Sequence, residues 1–313
     1  MKKVLITGGA GFIGSHLVDY YIENYQVLVI DDLSMGNRLN LPDHTNLTFI
    51  EGDVCDESLL REIFTANKFE YIFHLAAVAS VQDSIDRPQY THKVNFDSTL
   101  MMLELTKEHQ DKLKRFVFTS SAAVYGDLPT LPKTEDLAVL PKTPYAIDKY
   151  ASERYVLSYS NLYNIPTSAV RFFNVYGPRQ NPLSPYSGVI SIITDKLKRA
   201  QSEETEFILF GNGEQTRDFI NVKDVINALV IVSQSYDSLG KVYNVGTGKP
   251  VALIDMMELY FSITGRKLVI INKPSRDGDI KESYASIKAI QNIGFEQKVT
   301  LEQGLEKYWN SVL

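Results

Sequence analysis

Tyr145 and Lys149 in "PYAIDKY" stand four residues apart, which on a helix puts both side chains on one face, one turn from each other. A phenol titrating near 10 is a poor base at neutral pH, but an adjacent ammonium favours phenolate and lowers that value. The pair is therefore a candidate general base, although the spacing also fits an aromatic ring lying over a lysine stem. Upstream, "FVFTSSAAVYG" ends an apolar run in hydroxyls. Ser121 there can hydrogen-bond a substrate hydroxyl and relay its proton to Tyr145, or it can simply cap the strand end.

Such residues need a scaffold, and the first half of the chain supplies one. Short apolar runs at 4–7, 27–31, 47–50, 71–77, 116–121 and 167–173 alternate with helical stretches. The runs are nearly continuously hydrophobic, as expected of parallel strands covered on both faces. The pattern predicts an α/β fold with a doubly wound parallel sheet over residues 1–177. After that point proline- and glycine-rich loops ("GPRQNPLSP", "FGNGEQTRDF", "KPSRDGD") separate short elements, which predicts a smaller α/β lobe over 178–313. A segment near 222–250, carrying "YNVG", reads as a return toward the sheet.

In open sheets of this kind ligands sit beyond the carboxyl ends of the strands. "LITGGAGFIGSHLV" places Gly8, Gly11 and Gly14 between a strand and a helix. Glycine at a turn is often conformational only. Here a second strand ends at Asp31, where a carboxylate would accept hydrogen bonds from an adenosine ribose, favouring NAD over NADP. The glycines would let the main chain approach a pyrophosphate at the positive end of the helix dipole.

Composition narrows the remaining classes. The 313 residues carry a formal net charge of −6, which disfavours broad nucleic-acid or membrane-surface binding. The single cysteine, Cys55, reads as a structural thiol, and the five scattered histidines lack metal-ligand spacing, so no metal is expected. Neither a signal peptide nor a run approaching about 18 apolar residues is present, so the expected location is the cytoplasm.

Taken in order, "TGGAGFIG", "DDLSMGN", "EGDV", "HLAA", Asn95 in "HKVNFDST", "SSAAVYG", "PYAIDKY", "RFFNVYGPRQ", "GNGEQTRDFINVKDV" and "SRDGDIKES" resemble the extended short-chain dehydrogenase/reductase family over nearly the whole chain. Within it the resemblance is to nucleotide-sugar 4-epimerases. It implies a Rossmann domain whose bound NAD is contacted by Gly8, Gly11, Phe12, Ile13 and Gly14 and by Asp31, Asp32, Ser34, Gly36 and Asn37. Asp53 and Val54, then Leu75, Ala76 and Ala77, then Asn95, Thr119, Tyr145, Lys149 and Phe172, are the further implied contacts. Ser121, Tyr145 and Lys149 are the implied catalytic set.

For a UDP-sugar substrate the resemblance implies Ser120, Ser121, Asn174, Gln180, Val189, Arg217, Arg276, Asp279 and Ser283, with the two arginines on the diphosphate. Related 4,6-dehydratases carry an Asp-Glu pair where this chain has Ser120 and Ser121. Uronate 4-epimerases carry threonine at Asn174 and arginine at Asn181. The small Ser283 implies room for a 2-acetamido group beside UDP-glucose/UDP-galactose, although Ser98 and Thr99 depart from the pattern of N-acetyl-accepting members. A UDP-glucuronate 4-epimerase and a non-catalytic NAD-binding scaffold are the alternatives. Family members commonly dimerise through the helices around Thr91–Glu108 and Tyr145. "STLMMLELT" suits either that interface or the core.

Overall fold

The strands of the first half are buried from end to end, as "YIFH" at 71–74 and "VLIT" at 4–7 show, so they must be covered on both faces. The computed structural model describes residues 2–182, 188–200, 204–275 and 280–313. β1 (Lys3–Thr7), α1 (Phe12–Tyr21), β2 (Gln26–Asp31), β3 (Leu47–Glu51), α2 (Glu57–Ala66) and β4 (Tyr71–His74) come first. Then follow α3 (Val81–Asp86), α4 (Pro88–His92), α5 (Ser98–His109), β5 (Arg115–Ser121), α6 (Pro144–Tyr163), β6 (Thr167–Phe172) and β7 (Asn174–Tyr176). The remainder holds α7 (Val189–Arg199), β8 (Glu206–Phe210), β9 (Thr216–Arg217), β10 (Phe219–Asn221), α8 (Val222–Gln234) and β11 (Val242–Val245). It closes with β12 (Val251–Ala252), α9 (Leu253–Thr264), β13 (Val269–Lys273), β14 (Glu282–Ser283), α10 (Lys288–Gln291) and α11 (Leu301–Val312).

Seven strands form one all-parallel sheet in the order β11-β6-β5-β4-β1-β2-β3. The order reverses between β1 and β4, which opens a crevice at their carboxyl ends. The return expected at "YNVG" is β11, which pairs Val242–Val245 with Ala169–Phe172. β4 is shorter than its apolar run implied. It ends at His74 because β1 ends at its partner Thr7, and Ala76 N–H then turns to the Thr7 hydroxyl oxygen at 3.2 Å.

α1 and α8 cover one face through Leu17, Val18, Tyr21, Val225 and Leu229; α2, α5 and α6 cover the other. Met102, Leu103 and Leu105 of α5 pack in that second core, so the apolar residues of "STLMMLELT" serve chiefly the sheet. A separate core lies under α7, α9 and α11, built from Ile193, Leu197, Met257, Tyr260, Leu305 and Trp309. Local signals fix the helix starts. Thr143 caps α6 by accepting Ala146 N–H, with Pro144 at the first turn, and Thr300 and Gln303 form a capping box on α11.

Candidate active site

The glycine turn is a main-chain crossing. Gly8 has φ +69°, and a Cβ there would lie 2.8 Å from Ala76 N; one on Gly14 would lie 2.1 Å from Gly8 O. Only glycine lets α1 settle this closely on the ends of β1 and β4. The α1 cap residue, Gly11, makes no side-chain cap bond, which leaves the first-turn amides for an anion. A cavity of about 370 Å³ opens on this turn, lined by Gly8, Gly11, Asp31, Asp32, Ser34, Gly36, Asp53, Val54 and Leu75–Ala77. The residues thus fit a dinucleotide: a main-chain cradle for phosphates and carboxylates where riboses would lie.

Several carboxylates also hold their own loops. Asp31 accepts Ala10 N–H and Leu33 N–H, each at 2.9 Å; burial pushes its pKa up and those amides oppose the shift. Asp32 accepts Ser34 N–H at 3.0 Å, and Asp53 accepts Cys55 N–H at 2.8 Å. Asn37 is placed outside the cavity lining and accepts Leu39 N–H at 2.9 Å instead. Phe12, Ile13, Gly14, Asn95, Thr119 and Phe172 also stand outside that lining. Asn95, in a π-helical turn at Lys93–Asp97, clamps Val78 by accepting its N–H (2.8 Å) and donating to its carbonyl (3.0 Å).

The hydroxyl strand end and the YxxxK helix meet. Ser121 closes β5 and accepts Ala123 N–H at 3.2 Å, and its side chain is the polar group that bears on the Tyr145 phenol of α6. Lys149 Nζ donates to Thr119 O at 2.9 Å and lies 4.9 Å from the Phe118 ring centroid. Its burial drives the ammonium down to about 7, with Asp148 opposing. The expected lowering of Tyr145 is reversed in the protein by itself. Burial raises the phenol and only the Ser121 side chain opposes it, while the Lys149 amine is directed at the Thr119 carbonyl. Ser120 Oγ is buried without a hydrogen-bond partner, as a group awaiting a polar ligand would be.

Beneath this centre runs a buried chain that the sequence reading missed. Thr99 Oγ1 donates to Asn95 O, so His74 Nε2–H must donate to Thr99 (3.0 Å). His74 Nδ1 then accepts from the Thr7 hydroxyl (2.7 Å), whose oxygen holds Ala76 N–H. The arrangement requires a neutral imidazole, and burial accordingly lowers His74 to about 3. Ser98 joins this buried layer, donating to Val94 O at 2.6 Å. "HLAA" carried the signal: a histidine inside an otherwise apolar strand. A second unforeseen group is the buried Arg171–Glu153 pair (2.6 and 2.9 Å), whose Nη1 also donates to Tyr125 OH.

The second lobe brings together residues far apart in sequence. β9 pairs with β14 so that Arg217 stands beside Ser283, and Arg217 donates to Ile280 O at 2.7 Å. Gln180 packs against Gly188, next to Val189 at the start of α7, and its Oε1 is buried without a partner. Asn174 is exposed at the start of β7. Arg276 and Asp279 lie outside the described residues. Asp218 ties β9 to the end of β11 and to β14's flank by accepting Thr247, Gly248 and Ala285 N–H groups. Burial pushes the Cys55 thiol up to about 12, as befits a structural thiol. Among the described residues no cluster could hold a metal ion, and no helix is long and apolar enough to cross a membrane.

Comparison with known proteins adds to this geometry. The profile of the NAD dependent epimerase/dehydratase family matches residues 4–246. The chain is 36% identical over 310 residues to a putative UDP-glucose 4-epimerase of Methanocaldococcus jannaschii, covering 98% of this chain and 97% of that one. A crystal structure of UDP-glucose 4-epimerase with UDP-glucose from Thermotoga maritima superimposes with a TM-score of 0.92 at 36% identity, covering 99% and 98% of the two chains. A UDP-N-acetylglucosamine 4-epimerase from Methanobrevibacter ruminantium, in complex with UDP-N-acetylmuramic acid, superimposes with a TM-score of 0.91, also at 36% identity and with the same coverage.

Proposed function

The chain belongs to the NAD-dependent epimerase/dehydratase family, and on that premise we propose that it interconverts the C4 epimers of UDP-hexoses: UDP-glucose with UDP-galactose, and the corresponding N-acetylated pair. The observation that carries the reading is the meeting of Ser121, at the carboxyl end of β5, with Tyr145 and Lys149 of α6, at the edge of the sheet that also carries the glycine cradle. A bound NAD supplies reversible hydride acceptance at C4. Tyr145 takes the proton of the sugar's 4-hydroxyl, and Ser121 relays it. The 4-keto sugar turns about its bond to the phosphate and is reduced on its other face. Lys149, fixed on the Thr119 carbonyl, holds the nicotinamide ribose. The chain's own groups raise the Tyr145 phenol, so its phenolate would be favoured by the positive charge of a nicotinamide held at Lys149.

Residues 1–177, with a return near 222–250, serve the dinucleotide in this reading, and 178–313 mainly the nucleotide sugar. Arg217 and Arg276 grip the diphosphate, Asp279 the uridine ribose, and Asn174, Gln180 and Val189 the sugar and base. The orphaned Ser120 and Gln180 oxygens support those assignments. A homodimer through α6 is supported by Ile147, Tyr155 and Leu162, exposed along one stripe of that helix. The deciding experiment is Tyr145→Phe: it retains NAD on purification yet loses about 10³-fold or more of UDP-sugar interconversion. Turnover at the wild-type rate would overturn the mechanism.

A further inference from the structure

The walls of the dinucleotide cavity are unbalanced in charge. Asp31, Asp32, Asp53 and Asp83 bring four carboxylates to it, and Arg87 is the one cation among its described lining residues. A dinucleotide diphosphate carries two negative charges, so four of the five charged walls repel it. The α1 amides offset part of that repulsion through their partial charges, but a dipole end acts only within the first turn. The remaining full charge is Arg87.

Arg87 stands at the junction of α3 and α4, where its main-chain N–H and C=O are both engaged, to Asp83 O and from Thr91 N–H. The guanidinium is not fixed in the same way. Nη2 lies 3.0 Å from Asp83 Oδ2, one turn back, and Cζ lies 4.8 Å from the Tyr90 ring centroid. The arginine side chain is 56% exposed, and exposed pairs of this spacing contribute little. A phosphate is the better partner, because a guanidinium fork meets two of its oxygens at once. The Tyr90 ring lies beneath the Arg87 Cζ and lines the same cavity.

We propose that Arg87 is a binding residue for the diphosphate of the dinucleotide, exchanging Asp83 for phosphate oxygens while Tyr90 supports its guanidinium plane. The proposal rests on the NAD reading of the same cavity. Asp83 is then the competitor that holds Arg87 at the cavity wall until the cofactor arrives.

Purified holoenzyme, desalted until nucleotide is released, is titrated calorimetrically with ADP-ribose and with adenosine, which lacks both phosphates. Arg87→Met raises the Kd for ADP-ribose about 10- to 100-fold, the range expected for a lost hydrogen-bonded charge, and leaves adenosine within about twofold. Arg87→Lys recovers part of the loss, because a point charge remains without the fork. The ADP-ribose affinity of Arg87→Met also falls less steeply with salt. Unchanged ADP-ribose binding in Arg87→Met overturns the proposal, and so does an equal loss for adenosine, which would make Arg87 a platform for the base. Wild-type protein that binds neither NAD nor ADP-ribose would instead overturn the cofactor reading beneath it.

Discussion

The two halves of the site are made of different material. In the half we propose for the dinucleotide, the turn is main chain packed on main chain: Gly8 against Ala76, Gly14 against Gly8, and α1 starting without a side-chain cap. In the half we propose for the sugar the material is side chains, Arg217 and Ser283 on two-residue strands and Gln180 in a loop, above a core of their own. Main chain cannot rotate out of the way, whereas a side-chain end can. The cradle should therefore be intolerant of an added methyl, and the sugar lobe should absorb one.

The largest expected effect tests that difference directly. A Cβ on Gly14 meets Gly8 O at 2.1 Å and Gly9 Cα at 2.8 Å, both backbone atoms. Gly14→Ala should cost about 2–3 kcal/mol and leave the purified protein without NAD. Gly188→Ala makes the matched probe in the other half, where the nearest described atom a Cβ meets is Gln180 Nε2, at 3.1 Å, on a flexible side chain. Its stability should stay within about 0.5 kcal/mol, with the change confined to the KM for UDP-sugar. Equal losses of thermal stability and NAD in the two variants would break the comparison.

Acid should act on the two halves unequally, because all five histidines precede residue 110. His74 titrates near 3 when folded and near 6.5 when unfolded. Between those values the unfolded chain binds a proton that the folded chain refuses. The contribution is complete above pH 6.5 and declines as pH falls toward 3, by up to about 1.4 kcal/mol per unit. Denaturant midpoints of the wild type should fall between pH 6.5 and 4, with NAD released as Thr7 and Ala76 are disturbed. His74→Asn should be less stable at pH 7 but flatter over that interval. Parallel slopes for the two proteins would remove His74 as the cause.

Legibility followed the same division. The glycine turn before α1, the strand end at Asp31 and the helical spacing of Tyr145 and Lys149 could be read from the sequence because each needs a residue type at a fixed spacing. The all-parallel sheet was legible because its strands carry unbroken apolar runs, and even the return of β11 showed in "YNVG". What escaped depends on chain segments meeting. Arg87 looks like an ordinary surface arginine until α3 and α4 carry it to the cavity wall. The Thr7–His74–Thr99 chain requires β1, β4 and α5 at once. Spacing also hides burial, which raises the Tyr145 phenol in the protein by itself and leaves its lowering to the charge of a bound nicotinamide.

The smallest effect concerns sugar choice and belongs wholly to the side-chain half. Ser283 is half-buried and stands beside Arg217 in the β9–β14 register, on a strand of two residues. Ser283→Tyr should leave folding and NAD content unchanged and keep UDP-glucose turnover within about threefold. It should slow the N-acetylated pair about 10-fold, near the 1.4 kcal/mol that one steric conflict with an acetamido group supplies. The paired-substrate assay reads the ratio. If both pairs slow together, Ser283 acts through the position of Arg217 on the diphosphate they share; if neither slows, the acetamido group lies elsewhere and the gate is another residue of the lobe.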